Sequence, residues 1–239
     1  MAAVRSYLAL SRQLEQELAT AAPGDLVASE NDLAHRFRVS RLTARAALQE
    51  LERRHLVRRV QGRGTFVARR LDYKVSSDGP ASFTEIVREA GGEPLTTTDA
   101  VVVRPATALE RRHLALPARS KVVELRRRRW LGAEPVGVGT SVLPVSVVPD
   151  FAARYEDGAS LYGVLAETYG LEPRRSWFRC EVSTAPEDVA DELELRGRPE
   201  LFHNQGRLDS RRLGIPIEVN DGWLRTDVFN VVIEISSFT

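Results

Sequence analysis

Apolar residues in the first third of the chain follow two periods in succession. Leu33, Ala34 and Phe37 recur at helical spacing, and Ala44, Ala47, Leu48 and Leu51 do so a few residues later, giving each segment one apolar stripe. Ser29 and Ser40 each precede such a stripe, where a hydroxyl accepts from the N–H groups that a first helical turn leaves unpaired. The pattern predicts a short helix over Glu30 to Phe37, a tight turn at Arg38 and Val39, and a longer helix opened by Ser40. Past Arg54 the helical period stops: Leu56, Val57 and Val60 lead into Gln61-Gly62-Arg63-Gly64, and Thr65, Phe66 and Val67 are β-formers. Two helices about a tight turn, followed by a two-stranded wing, define a winged helix-turn-helix.

The polar positions of this module are suited to DNA. Ser40, Arg41, Thr43 and Arg45 fall near the start of the longer helix and off its apolar stripe, so together they can enter a major groove. An arginine there reads guanine O6 and N7 bidentately, worth ~1 to 3 kcal/mol of base discrimination. Gly62 and Gly64 strip the wing tip of bulk, so that Arg63 and the backbone can approach a minor groove or phosphates. Arg36, Arg38, Arg58 and Arg59 are expected as phosphate contacts, which hold register without reading sequence. For any single arginine the blander alternative is a solvated basic face on an ordinary three-helix module.

Charge is divided to match. Residues 1 to 70 hold 13 Arg against 7 Asp plus Glu, a net of +6, whereas the remainder holds 21 basic against 26 acidic residues, a net of −5. Only the N-terminal part is built for a polyanion. No apolar run approaches the ~18 residues of a membrane span and no signal-peptide core opens the chain, so a cytoplasmic protein without a membrane partner is expected. One cysteine, Cys180, leaves no intramolecular disulfide, and four dispersed histidines without ligand spacing predict neither a metal nor a cofactor.

Residues 71 to 80, LDYKVSSDGP, lose apolar periodicity and end in Asp-Gly-Pro, which predicts a linker between a DNA-binding domain (1 to 70) and a second domain (81 to 239). The second domain repeats itself at an offset of about 80 residues. Strand, helix, strand, turn and strand run through 99 to 138, and again through 178 to 219, with Glu134-Pro135-Val136 matching Ile215-Pro216-Ile217. Two such units are expected to pair into one antiparallel sheet with helices on a face, so the fold class is α+β. In the strand around 122 to 131, Val123 and Leu125 mark the inward face by the two-residue period, which turns Arg127 and Arg129 inward as well. Buried guanidinium groups need an anion. That anion is either an internal carboxylate such as Glu218 or a bound ligand, for which Ser82, Thr84 and Ser160 stand at helix starts.

The run ASENDLAHRFRVSRLTARAALQELERRHLVRRVQGRGTFV resembles the DNA-binding domain of the GntR family of bacterial transcription factors, with VSR-x-T-x-R-x-AL and QG-x-GTFV as its signature stretches. Asn31 and Leu42 stand where that family commonly carries arginine and threonine, which adds Asn31 to the groove residues and implies a different operator. SFTEIVREAGGEP, the R-x-R strand, SLYGVLAETYG and IPIEVNDGWLRTD are similar to the effector domain of the HutC branch, whose fold resembles chorismate lyase. The resemblance implies an effector pocket formed by Ser82, Phe83, Thr84, Arg127, Arg129, Ser160, Glu218 and Arg225, and a homodimer on a palindromic double-stranded operator. GLEPRRSWFRCEV and SYLALSRQLEQEL look most like the phosphonate-utilisation regulators, which implies a small anionic effector bearing phosphonate or phosphate. Together these resemblances imply a repressor released by that effector. A constitutive DNA-binding protein and a chorismate-lyase-like enzyme are the rivals, though no nucleophile, base and acid set supports the latter.

Overall fold

The computed structural model describes residues 6–234 apart from Pro23, His55, Gln61, Arg69, Ser77, Asp78, Pro80 and Ala81. The chain divides into two compact units, residues 1–71 with 90–92, and residues 72–89 with 93–239.

The first unit comprises α1 (Tyr7–Leu18), β1 (Leu26–Val27), α2 (Glu30–Phe37), α3 (Arg41–Arg53), β2 (Val57–Val60) and β3 (Gly64–Val67). Ser29 and Asp32 close a reciprocal capping box at the start of α2, and the Ser40 hydroxyl accepts from the Thr43 amide to open α3. Between them the chain turns through Arg38 in the left-handed region, φ 52°, whose amide bonds back into α2. The stripe Ala44, Ala47, Leu48 and Leu51 packs against Leu33, Val57 and Val67. Two elements go beyond the sequence pattern: α1 lays Leu10 and Leu14 into this core, and β1 joins β3 to make a sheet of order β1-β3-β2. Gly64 favours glycine because its φ is 128°, a conformation that side chains rarely adopt; a Cβ there would also displace the exposed tip of Leu26, whose Cδ1 would stand 2.8 Å away.

The second unit runs β4 (Leu71–Val75), α4 (Phe83–Glu89), β5 (Pro94–Pro105), α5 (Ala108–His113), β6 (Lys121–Leu131), β7 (Glu134–Pro144), α6 (Phe151–Arg154), α7 (Leu161–Glu167), β8 (Pro173–Thr184), α8 (Glu187–Glu192), β9 (Glu200–Ser210), β10 (Pro216–Arg225) and β11 (Phe229–Ile233). Six strands form one antiparallel sheet of order β5-β6-β7-β10-β9-β8. The internal repeat therefore meets itself at the centre, with β7 of the first copy paired to β10 of the second. One face buries Val123, Leu125, Leu143 and Leu208 beneath Phe151, Leu161 and Leu165. The other buries Val122 and Val142 with Leu114 at one place, and Val138 and Leu201 with Val189 at another.

Part of the stretch expected as a linker is strand. Leu71–Val75 pairs with β11, Asn230 Nδ2 donates to Asp72 Oδ1 at 3.0 Å and the Glu234 amide to Val75 O at 3.0 Å. Its partner lies at the far end of the chain, so local periodicity could not reveal the pairing. Ser77, Asp78, Pro80 and Ala81 lie outside the described residues.

Candidate functional site

The exposed start of α3 presents Ser40, Arg41, Leu42 and Arg45 around a shallow hollow. Ser40 and Thr43 share a hydroxyl contact of 2.9 Å as part of the cap. Leu42 is 75% exposed, a large apolar group set among arginines. Asn31 is exposed in the first turn of α2, and Arg63 is exposed at the wing tip between Gly62 and Gly64. Behind the arginines stands Glu30. Arg45 Nε lies 3.0 Å from each of its oxygens, Arg41 Nε 3.4 Å from Oε2 and Arg59 Nη1 3.5 Å from Oε1. The Arg45 hydrogen bond, with help from Arg41 and Arg59, holds the Glu30 carboxyl below its usual range.

The remaining basic residues divide. Arg36 pairs with Glu17 at 2.6 Å and lies over the Phe37 ring, while Arg38 sits exposed at the left-handed cap of α2. Arg59 reaches Glu30 and Glu52 and keeps part of its side chain in solvent. Arg58 departs from the phosphate-contact expectation, since it is buried, 9% exposed, with its guanidinium over the ring of Phe66. Register explains this: Arg58 is the cross-strand partner of Phe66, so the wing's own sheet covers it.

In the second unit, Tyr73, Ser82, Phe83, Thr84, Thr96, Arg127, Arg129, Ser141, Ser160, Tyr162 and Glu218 line a cavity of about 50 Å³ against the central strands. At ~10–15 Å³ per water-sized group, it has room for about four such groups. Arg127 is 7% exposed and donates from Nη2 to the Ser141 hydroxyl at 3.1 Å. Arg129 lies across the backbone of β7, where a Cβ on Gly139 would come within 3.2 Å of its Nη1. A bulge at Ile217 lets both Ile217 and Glu218 point inward, each wholly buried.

The charges in this cavity are unbalanced. Burial, and secondly the Arg127 charge, pull Arg129 below its ordinary value, although a guanidinium stays cationic in proteins. Burial pushes the Glu218 carboxyl up against the opposing pull of Ser141, Arg127, Arg175 and Arg129, and burial likewise pushes the Tyr162 hydroxyl up. Arg127 Nε, Arg175 Nε and Nη2, and both Glu218 oxygens have no hydrogen-bond partner among the described residues. Ser82 and Ser160 use their hydroxyls to accept from the Glu85 and Gly163 amides, at 3.2 Å and 3.4 Å. Arg225 departs from the pocket expectation: its guanidinium pairs with Asp227 at 2.6 Å, and it is not among the cavity-lining residues. It stands at the last position of β10, beside the turn into β11 that carries Asp227. A larger cleft of about 730 Å³ opens on the other face beside Trp177 and His113, but its Arg104, Glu110 and Asp221 are paired with neighbours.

A helix-turn-helix with a basic groove face, joined in one chain to a sheet domain with a charged cavity, defines a ligand-responsive regulator. Residues 6–67 match the bacterial regulatory proteins of the gntR family, and residues 89–230 match the UTRA domain. An HTH-type transcriptional regulator of Mycobacterium tuberculosis, Rv0792c, is 30% identical over 200 residues, 82% of this chain and 72% of the relative. GgaR of Escherichia coli K12 is 28% identical over 212 residues, 88% of this chain and 82% of that one. The crystal structure of PhnF from Mycobacterium smegmatis superposes with a TM-score of 0.69 at 24% identity, covering 95% of this chain and 99% of the other. The chain belongs to the GntR family of transcriptional regulators, with a UTRA effector domain; it is a regulator and not an enzyme. Among the described residues no helix is long and apolar enough to cross a membrane.

Proposed function

We propose that this regulator is a cytoplasmic repressor that binds a two-half-site operator as a homodimer and leaves it when a small phosphate- or phosphonate-bearing anion enters the UTRA cavity. The observation that carries the effector class is a set of buried atoms with no hydrogen-bond partner among the described residues, Arg127 Nε, Arg175 Nε and Nη2 and both Glu218 oxygens, where the charges of three arginines, Arg127, Arg175 and Arg129, act on the one carboxylate. Buried donors without partners are costly, and a compact oxyanion satisfies several at once. Tyr73 supports the coupling. It lines the cavity from β4, the strand that directly follows the DNA-binding unit in the chain, so an occupied cavity acts on the segment that joins the two. A ligand shifts the operator-bound population only by its differential affinity for the two states.

Two further results are expected. One recognition module offers too little contact for tight specific binding, so sedimentation at micromolar concentration should give a dimer, with two chains per operator. A monomer forming one-to-one complexes would contradict the reading. Arg63→Ala, at the wing tip, should weaken operator and random duplex alike and lower the salt slope by about 0.9 per lost contact, about 1.8 for the two wings of a dimer. A selective loss of operator binding would instead make Arg63 a base reader.

A further inference from the structure

We infer that Glu30, which lies outside the recognition helix, is a specificity-determining residue: its carboxylate holds the Arg45 guanidinium by its Nε–Nη2 edge so that the adjoining Nη1–Nη2 edge faces the base. The inference rests on the base-reading role of Arg45. It starts from the contacts themselves, in which Arg45 Nε is 3.0 Å from both Glu30 oxygens and Nη2 is 2.9 Å from Oε2. A guanidinium has five N–H donors in one plane. With Nε and the inner side of Nη2 engaged, Nη1 and the outer side of Nη2 remain as a parallel pair, the pair that guanine O6 and N7 accept. Without the carboxylate, a side chain 45% exposed would sample many rotamers and lose that alignment on average.

Two other features bear on the same role. Glu30 is the first residue of α2, where the helix N-terminus favours an anion, so the carboxylate is retained at modest cost in spite of its position on a DNA-facing surface. It also touches Arg41 and Arg59, at 3.4 Å and 3.5 Å, so a single negative charge tempers three positive ones. An arginine cluster partly neutralised from behind attracts phosphate less strongly at any sequence, while its forward-facing donors lose nothing at the right base.

The test uses the full-length chain, the duplex that the wild-type protein itself enriches from a random pool, and a scrambled duplex of equal length. Glu30→Gln keeps the shape and removes the charge. It is expected to bind the scrambled duplex a few-fold more tightly and the enriched duplex more weakly, so that the preference falls by about five- to tenfold. In an Arg45→Ala background the same substitution should leave the preference within twofold of that of Arg45→Ala alone. A tie that merely joins α2 to α3 would lower the thermal midpoint and weaken both duplexes equally, and that result overturns the inference. So does an equal loss of preference in both backgrounds, because Glu30 would then act without Arg45. If Arg45→Ala by itself leaves the preference intact, the base-reading assignment fails as well; a normal Arg45→Ala defect with a silent Glu30→Gln overturns the Glu30 role alone.

Discussion

Arg45→Ala is expected to lose much of its preference for operator over random DNA while keeping most of its affinity for random DNA. The side chain stands one turn into α3, exposed, and its guanidinium is already ordered by Glu30. A bidentate arginine–guanine pair contributes ~1 to 3 kcal/mol of discrimination, and a dimer on two half-sites loses it twice, so the preference should fall by at least about 30-fold. Non-specific affinity should fall far less, since one of many phosphate-attracting charges is removed. Competition titrations at a fixed salt concentration measure both. An unchanged preference would show that Arg45 holds backbone and that the reading of sequence lies with Arg41, Asn31 or the wing.

Arg127→Ala is expected to give a repressor that binds its operator normally and no longer lets go. The residue is buried on the inner face of β6, far in the chain from the DNA-binding residues, so operator affinity without effector should match wild type. Charge-assisted contacts to an oxyanion are the strong ones, and losing this guanidinium should cost ~1.5 to 3 kcal/mol, roughly 10- to 150-fold in effector affinity. The measurement is operator release titrated with methylphosphonate, inorganic phosphate, a sugar phosphate, a small carboxylate and an uncharged analogue. Release of wild type by the uncharged compound, or a wild-type response from Arg127→Ala, would assign the arginines to internal charge balance instead.

The two domains were not equally legible. Within the first, each signal is local: Ser29 and Ser40 each cap an amide three residues on, the stripe from Ala44 to Leu51 lies on one helix, and Gly62 and Gly64 mark their own turn. The strand parity that turned Arg127 inward is local too, and the repeat in residues 99 to 219 anticipated both the strand-helix-strand-strand units and their single sheet. Elements whose stability comes from a distant partner were harder. β1 is two residues long and exists because β3 accepts it, and β4 exists because β11 returns to it. Sequence spacing also treated Arg58 and Arg59 as equivalent, whereas pairing opposite Phe66 buries one and leaves the other beside Glu30.

What the chain by itself determined is the identity of its modules and the side chains they offer, because helix caps, apolar periods and turn glycines act over three to eight residues. Only the tertiary structure decided which charges meet. Glu30 and Arg45 are fifteen positions apart on different helices, and Glu218 reaches the arginines of β6 through the pairing of β7 with β10 and a bulge at Ile217. Electrostatic interaction depends on distance and on the water removed between the groups, and neither quantity exists until the helices cross and the strands take their register.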